Sequence, residues 1–276
     1  MIGIFDSGIG GLSVWREIAR QLPGEITLYV ADQAHVPYGY RSMDEIRMFC
    51  VGIVDFLLEQ GAKIIVVACN AASAAALHYL RDLYPDVPFV GMEPAVKPAA
   101  GRTQTGTVGV IATQTTFQGK LFAGLISQYG TSVKVLTSIG HGLVETVEAG
   151  TLDTPETENL LIKCISPLIS AGADQLVLGC THYPFLMPVI ERLAGPSVSV
   201  IDPAPAVALQ VARIMKQRDL MNSQDRKGCH LFFTSGQADA FSESLQRLVL
   251  CNPATPKTCA VCWRSGRLSR FRDNEF

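Results

Sequence analysis

The chain has 276 residues, 48% of them hydrophobic and 17% charged, with a formal net charge of −2 at neutral pH. That length and apolar content can bury a substantial core, as one large or two smaller domains. The near-neutral balance excludes a basic field for nucleic acid or an anionic membrane, and no apolar run is long enough to span a bilayer.

In chain order, Ile2 to Phe5 predicts a short buried strand. The opening residues lack the basic start and long apolar core of a signal peptide, so a cytoplasmic protein is expected. Asp6-Ser7-Gly8-Ile9-Gly10-Gly11 follows, a glycine-rich turn that lets the backbone approach a ligand and aims N–H groups at an anion. Its spacing is neither a Walker A loop nor the dinucleotide fingerprint, and Asp6 would repel a phosphate. A carboxylate-bearing small molecule fits better. Leu12 to Leu22 has helical spacing and Ile26 to Val30 reads as a strand. Ser42 and Glu45 predict a capping box for a helix that runs to Gln60 and ends at Gly61. Lys63 to Ala68 is a strand, Ala71 to Tyr84 a helix, and Pro85 to Met92 a return to the sheet.

Glu93 to Pro98 marks a change in composition and a crossing to a second domain. The pattern then restarts. Strands are expected at 107–111, 133–136, 175–179 and 198–201. Helices are expected at 117–128, around Glu145 and Glu148, from Thr154-Pro155 to Gly172, at 183–193 and from Pro203 to Gln217. Residues 218–228 read as a polar linker, 231–235 as a strand and 238–250 as a helix. Beyond Leu250 the periodicity fails, so residues 251–276 are expected to be a disordered or loosely attached tail. Its Cys259-Ala260-Val261-Cys262 is half a zinc pattern without a second pair or a histidine, and no metal site is expected.

Two stretches stand out: Val66-Val67-Ala68-Cys69-Asn70 and Val177-Leu178-Gly179-Cys180-Thr181. Each is an apolar run that stops at a cysteine, as at the carboxyl end of a strand buried on both faces of a parallel sheet. The first turn of the following helix would favour thiolate there. One such cysteine is most simply a core residue. Two in equivalent settings, one from each half of the chain, point to a site between domains. The halves match further: Gly3-Ile4-Phe5-Asp6-Ser7 corresponds to Gly109-Val110-Ile111-Ala112-Thr113. The fold expected is α/β, with two similar flavodoxin-like domains of mainly parallel sheets, pseudo-twofold related, and the active site in the cleft between them. Residues 1–94 with 206–250 would form the first domain and 95–205 the second.

Two opposed thiols can move a proton on and off both faces of one carbon, in either direction and without a cofactor. Asp6 and His182 lie beside the glycine turn and Cys180, where each could orient or deprotonate a thiol; Glu148 is a further candidate.

Over residues 1–250 the chain resembles the cofactor-independent glutamate racemases of the aspartate/glutamate racemase superfamily. The resemblance rests on Asp6-Ser7-Gly8-Ile9-Gly10-Gly11, Ala31-Asp32 with Pro37-Tyr38-Gly39, Cys69-Asn70, Cys180-Thr181-His182-Tyr183-Pro184, Leu143-Val144-Glu145 through Glu148-Ala149-Gly150, and Phe232-Phe233-Thr234-Ser235-Gly236. It implies that Cys69 and Cys180 are the acid/base thiols, assisted by Asp6 and His182, with Glu148 behind His182. It implies substrate contacts at Asp6, Ser7, Tyr38, Gly39, Asn70, Ala71, Thr113, Thr116, Thr181 and His182, with no cofactor and no metal. The substrate implied is glutamate and the product D-glutamate for peptidoglycan; a homodimer is compatible with the resemblance. Two departures stand out. The family usually has Thr after Cys-Asn, where this chain has Ala71, and commonly Cys-Pro-Gly where this chain has Gly140-His141-Gly142. Racemisation of aspartate or another amino acid by the same two thiols, or a weakly active amino-acid-binding homologue, remain the alternatives. A thiol hydrolase lacks its partner groups here, and a pyridoxal enzyme would need a better lysine than Lys97.

Overall fold

The computed structural model describes residues 1–222, 228–249 and 258–270. The first half contains β1 (Ile2–Asp6), α1 (Leu12–Gln21), β2 (Thr27–Ala31), α2 (Met43–Glu59), β3 (Ile64–Val67), α3 (Asn70–Leu83), β4 (Phe89–Gly91) and α4 (Val96–Ala100). The second contains β5 (Thr107–Ala112), α5 (Gln114–Gln118), α6 (Lys120–Tyr129), β6 (Lys134–Ile139), α7 (Leu143–Ala149), α8 (Pro155–Ser170), β7 (Gln175–Gly179), α9 (Met187–Ala194) and β8 (Ser199–Ile201). The chain then returns through α10 (Ala204–Gln217), β9 (His230–Thr234), α11 (Ala238–Leu248), β10 (Thr258–Arg264) and β11 (Arg267–Arg270).

Local chemistry explains most boundaries. Ser42 and Glu45 form the expected capping box at α2, with the Glu45 N–H donating to Ser42 Oγ and the Ser42 N–H to Glu45 Oε2. Thr154 caps α8 with Pro155 in its first turn. Two predicted helices differ. The segment 117–128 is divided at Gly119, whose extended backbone ends α5 and starts α6. The segment 183–193 opens as a 3₁₀ turn over Tyr183–Leu186 before α9, in keeping with Pro184 and Pro188, which lack backbone donors.

The strands form two sheets, ordered β11-β10-β9-β2-β1-β3-β4 and β6-β5-β7-β8. All pairings are parallel except β10 with β11. The order β2-β1-β3-β4 repeats as β6-β5-β7-β8, so the two halves are similar flavodoxin-like units. In each unit the strand order reverses beside its first strand, the place where open α/β sheets bind ligands. Buried Ile9 and Leu12 of the first half share one apolar cluster with Leu143, Leu178 and Tyr183 of the second. No helix among the described residues is long and apolar enough to cross a membrane.

The expectation of a loose tail after Leu250 is corrected for residues 258–270. There β10 pairs with β9, Thr258 opposite Phe232 and Ala260 opposite Thr234, and β11 folds back on β10. Ser265 and Gly266 both have positive φ, 48° and 77°, as a two-residue hairpin turn requires. Val261 and Leu268 are buried against Phe233 and the α2 face of the first sheet. The rest of the expected tail, and part of the expected linker, lie outside the described residues. Leu268→Ala should therefore destabilise the protein by about 2 kcal/mol or more in chemical denaturation. A change below about 0.5 kcal/mol, the scale of an ordinary surface substitution, would show that the hairpin does not dock in solution.

Candidate active site

Four strand ends converge. β1 delivers Asp6 and the turn after it, β3 delivers Cys69, β5 delivers Thr113 and β7 delivers Cys180. Cys69 and Cys180 line one small cavity. Ser7, Asn70, Thr113, Thr181 and His182 add polar atoms to its wall, while Tyr38, Gly39, Ala71 and Val144 add apolar surface. A larger groove of about 830 Å³ lies on the crossing side, lined by Arg81, Glu93, Lys97 and Asp202. It holds neither cysteine, so size alone does not locate the chemistry.

Cys180 belongs to a relay. Its Sγ lies 3.7 Å from His182 Nδ1, and His182 Nε2 lies 2.7 Å from Glu148 Oε1. Glu148 also accepts the Ile9 N–H at 2.8 Å and Gln33 Nε2 at 3.1 Å. Burial alone would raise the Glu148 carboxyl, but the His182 bond and charge and these donors hold it below its ordinary value. A carboxylate on Nε2 fixes the proton there and turns Nδ1 toward the thiol. Burial opposes charge on His182, yet its bonds to Cys180 and Glu148 prevail and set its pKa well above that of a free imidazole.

Cys69 sits differently. Its Sγ accepts the Ala72 N–H at 3.5 Å at the start of α3 and contacts Ser7 Oγ at 3.9 Å. The helix start was expected to favour thiolate. That is corrected: burial, reinforced by the Asp6 carboxylate, pushes the Cys69 thiol well above its ordinary value, and the Ala72 N–H only partly offsets this. Asp6 is itself raised by burial, against the His182 charge and the Gly8 and Gly11 N–H groups. It accepts Gly8 N–H at 3.0 Å and the Thr181 hydroxyl at 3.3 Å.

The glycine turn serves close approach. A Cβ on Gly8 would overlap the Glu148 carboxylate, and one on Gly10 the His182 ring. Asn70 is 3% exposed, and neither its Oδ1 nor its Nδ2 has a partner among the described residues. A buried unpaired amide costs about 1–3 kcal/mol, so this side chain is set for a polar ligand.

Of the residues expected at the site, Asp6 and Glu148 stand behind the cavity wall, each bonded to a group that lines it. Thr116 is bonded to Thr113 at 2.9 Å, and Thr113 caps α5. Tyr38 lines the cavity, but its hydroxyl donates to Asp32 at 2.6 Å. Gln33, Val144 and the Ile9 N–H were not expected. Gln33 follows the quoted Ala31-Asp32, which was the only signal pointing to it.

Residues 2–211 match the family model described as Asp/Glu/Hydantoin racemase. The chain is 50% identical over 250 residues to a glutamate racemase from Roseiflexus sp. (strain RS-1), covering 90% of this chain and 92% of that protein. Its structure resembles a glutamate racemase from Bacillus anthracis, with TM-score 0.86, 32% identity, and 97% and 98% of the two chains covered. It also resembles the Escherichia coli glutamate racemase solved with L-glutamate and the activator UDP-MurNAc-Ala, with TM-score 0.81, 29% identity and 98% of each chain covered. With its two thiols at matching strand ends and this kinship over nearly the whole length, the chain belongs to the Asp/Glu/hydantoin racemase family.

Proposed function

We infer that this chain is a glutamate racemase, an isomerase that interconverts L- and D-glutamate by proton transfer between two thiols and the α-carbon. The observation that supports this best is the shared cavity, with Cys69 and Cys180 entering it from equivalent strands of the two halves. The close kinship with glutamate racemases selects glutamate over aspartate. On this reading the enzyme needs no cofactor, works in the cytoplasm and supplies D-glutamate for peptidoglycan.

One cysteine, as thiolate, takes the α-proton from one face, and the thiol of the other delivers a proton to the opposite face. The proton count of the site is unchanged and the two sulfurs have exchanged roles. On the Cys180 side, His182 accepts or returns the thiol proton while Glu148 keeps the ring oriented. On the Cys69 side, Asp6, raised by burial, is the carboxylate able to accept one. The carbanion formed beside the substrate carboxylate needs fixed donors. Asn70, Ser7 and Thr181 are the ones at hand.

With L-glutamate in D₂O, product should carry solvent deuterium at the α-carbon, because the delivered proton comes from a different group than the one that abstracted it. Cys69→Ala and Cys180→Ala should each abolish racemisation with far-ultraviolet dichroism unchanged, whereas Cys50→Ala should racemise normally if it folds. Racemisation at the wild-type rate by either active-site variant would sink the two-thiol reading.

Glu148→Gln removes the carboxylate that favours protonated His182. That residue then loses its proton at lower pH, so the alkaline limb of the kcat/KM profile should move down. At neutral pH kcat/KM should fall about tenfold or more, the worth of one charge-assisted hydrogen bond. An unmoved alkaline limb would show that His182 does not govern it.

Ala71 lines the cavity where the family usually carries Thr. Ala71→Thr should lower KM for glutamate a few-fold, equivalent to about 0.5–1.5 kcal/mol for one new hydrogen bond. Steady-state kinetics with both enantiomers measures it, and a raised KM would show that this cavity is shaped around the alanine.

A further inference from the structure

The C-terminal hairpin reaches a carboxylate behind the cavity. Asp32 follows β2 and is fully buried. Its Oδ1 accepts the Trp263 indole N–H at 2.7 Å and the Ser235 hydroxyl at 2.7 Å. Its Oδ2 accepts the Tyr38 hydroxyl at 2.6 Å and lies 2.9 Å from His35 Nδ1. A buried carboxylate keeps its geometry only while its donors are in place. One of those donors comes from β10, and another is Tyr38, which lines the cavity beside both thiols.

The indole is also built into the same loop by packing. His35 stacks on Phe49 at 3.8 Å between ring centroids, and Trp263 meets them at 5.3 Å and 5.8 Å. The next loop residue, Gly39, accepts the Thr115 hydroxyl of the second half through its carbonyl at 3.0 Å. Gly52, in the interior of α2, marks the seat of the hairpin. A Cβ there would stand 2.6 Å from the indole ring and 2.8 Å from the Gly266 carbonyl. Glycine inside a helix is disfavoured relative to alanine, and here the missing methyl leaves room for the indole.

We propose that Trp263 is a positioning residue of the active site, holding the Tyr38–Gly39 wall of the substrate cavity through its hydrogen bond to Asp32. The hairpin is thus part of the substrate-binding apparatus as well as of the sheet. This rests on the racemase reading. Tyr38 and Gly39 line the cavity and have no part in the proton relay, so the effect is expected on KM more than on kcat.

The experiment compares wild type, Trp263→Phe, Gly52→Ala and Met215→Ala by steady-state racemisation of L- and D-glutamate, with melting curves for each. Trp263→Phe keeps a ring in the pocket and removes the N–H. The expected result is KM raised about fivefold or more for both enantiomers, kcat within twofold and a melting temperature close to wild type. Because free L- and D-glutamate are equal in energy, kcat/KM must fall by the same factor in both directions. Gly52→Ala, which displaces the indole without altering it, should give the same pattern and serves if Trp263→Phe folds poorly. Met215→Ala, which empties a buried position of α10 outside the hairpin, should lower the melting temperature and leave KM unchanged below it, which separates positioning from stability. A wild-type KM in Trp263→Phe, or in Gly52→Ala where only that variant folds, overturns the proposal. So does a fall in kcat with KM unchanged. Absence of racemisation by the wild type would instead overturn the functional reading itself.

Discussion

The arrangement of the site depends on the 2.7 Å bond between Glu148 and His182. That bond places the imidazole against Cys180 and decides which ring nitrogen faces the sulfur. It also joins the halves, because the same carboxylate accepts the Ile9 N–H from the turn after β1 and the Gln33 amide from the end of β2. The turn can approach this closely only because Gly8 and Gly10 carry no side chains. A glycine pattern that resembles anion-binding loops is used here to admit two side chains from the other half of the chain.

The two thiols are therefore alike in position and unlike in environment. Cys180 has an imidazole beside it whose protonated form is favoured by its bonds to Cys180 and Glu148. Cys69 has a buried carboxylate, which opposes its ionisation. A protein that must receive a proton from one side and give it on the other benefits from such asymmetry, since the resting enzyme then has a preferred distribution of protons. The Asn70 amide, without a partner among the described residues, lines the same cavity as both thiols, where a substrate could complete its hydrogen bonds.

Most of the fold was legible in the sequence. Runs such as Ile64–Val67 and Leu176–Leu178 are too apolar to face water on either side, and each soon stops at a cysteine followed by a polar residue. The two cysteines were legible for the same reason, as strand-end residues whose neighbours change character abruptly. The hairpin was missed because its alternation rests on few apolar residues, chiefly Val261, Trp263 and Leu268, among polar ones. Ser265-Gly266 was the overlooked turn signal. Of the supports behind the site, Asp6 and Glu148 were named from the motifs, whereas the roles of Gln33 and Trp263 were not legible. Gln33 meets Glu148 across 115 residues and Trp263 meets Asp32 across 231, distances that no local pattern encodes. The Cys69 environment was misjudged because a helix start can be read from sequence, whereas depth of burial cannot.

The sheet order also bears on how the chain is made. The residues 107–201 form a continuous stretch whose strands pair only with one another, so that unit can close as soon as it emerges during synthesis. The first unit cannot. Its strand β2 at residues 27–31 must wait for residues 230–234, and those in turn receive 258–260. The side of the cleft that was translated first is thus completed last. Until then β2 presents an unpaired edge to the crowded surroundings of the ribosome, the condition under which strands find wrong partners.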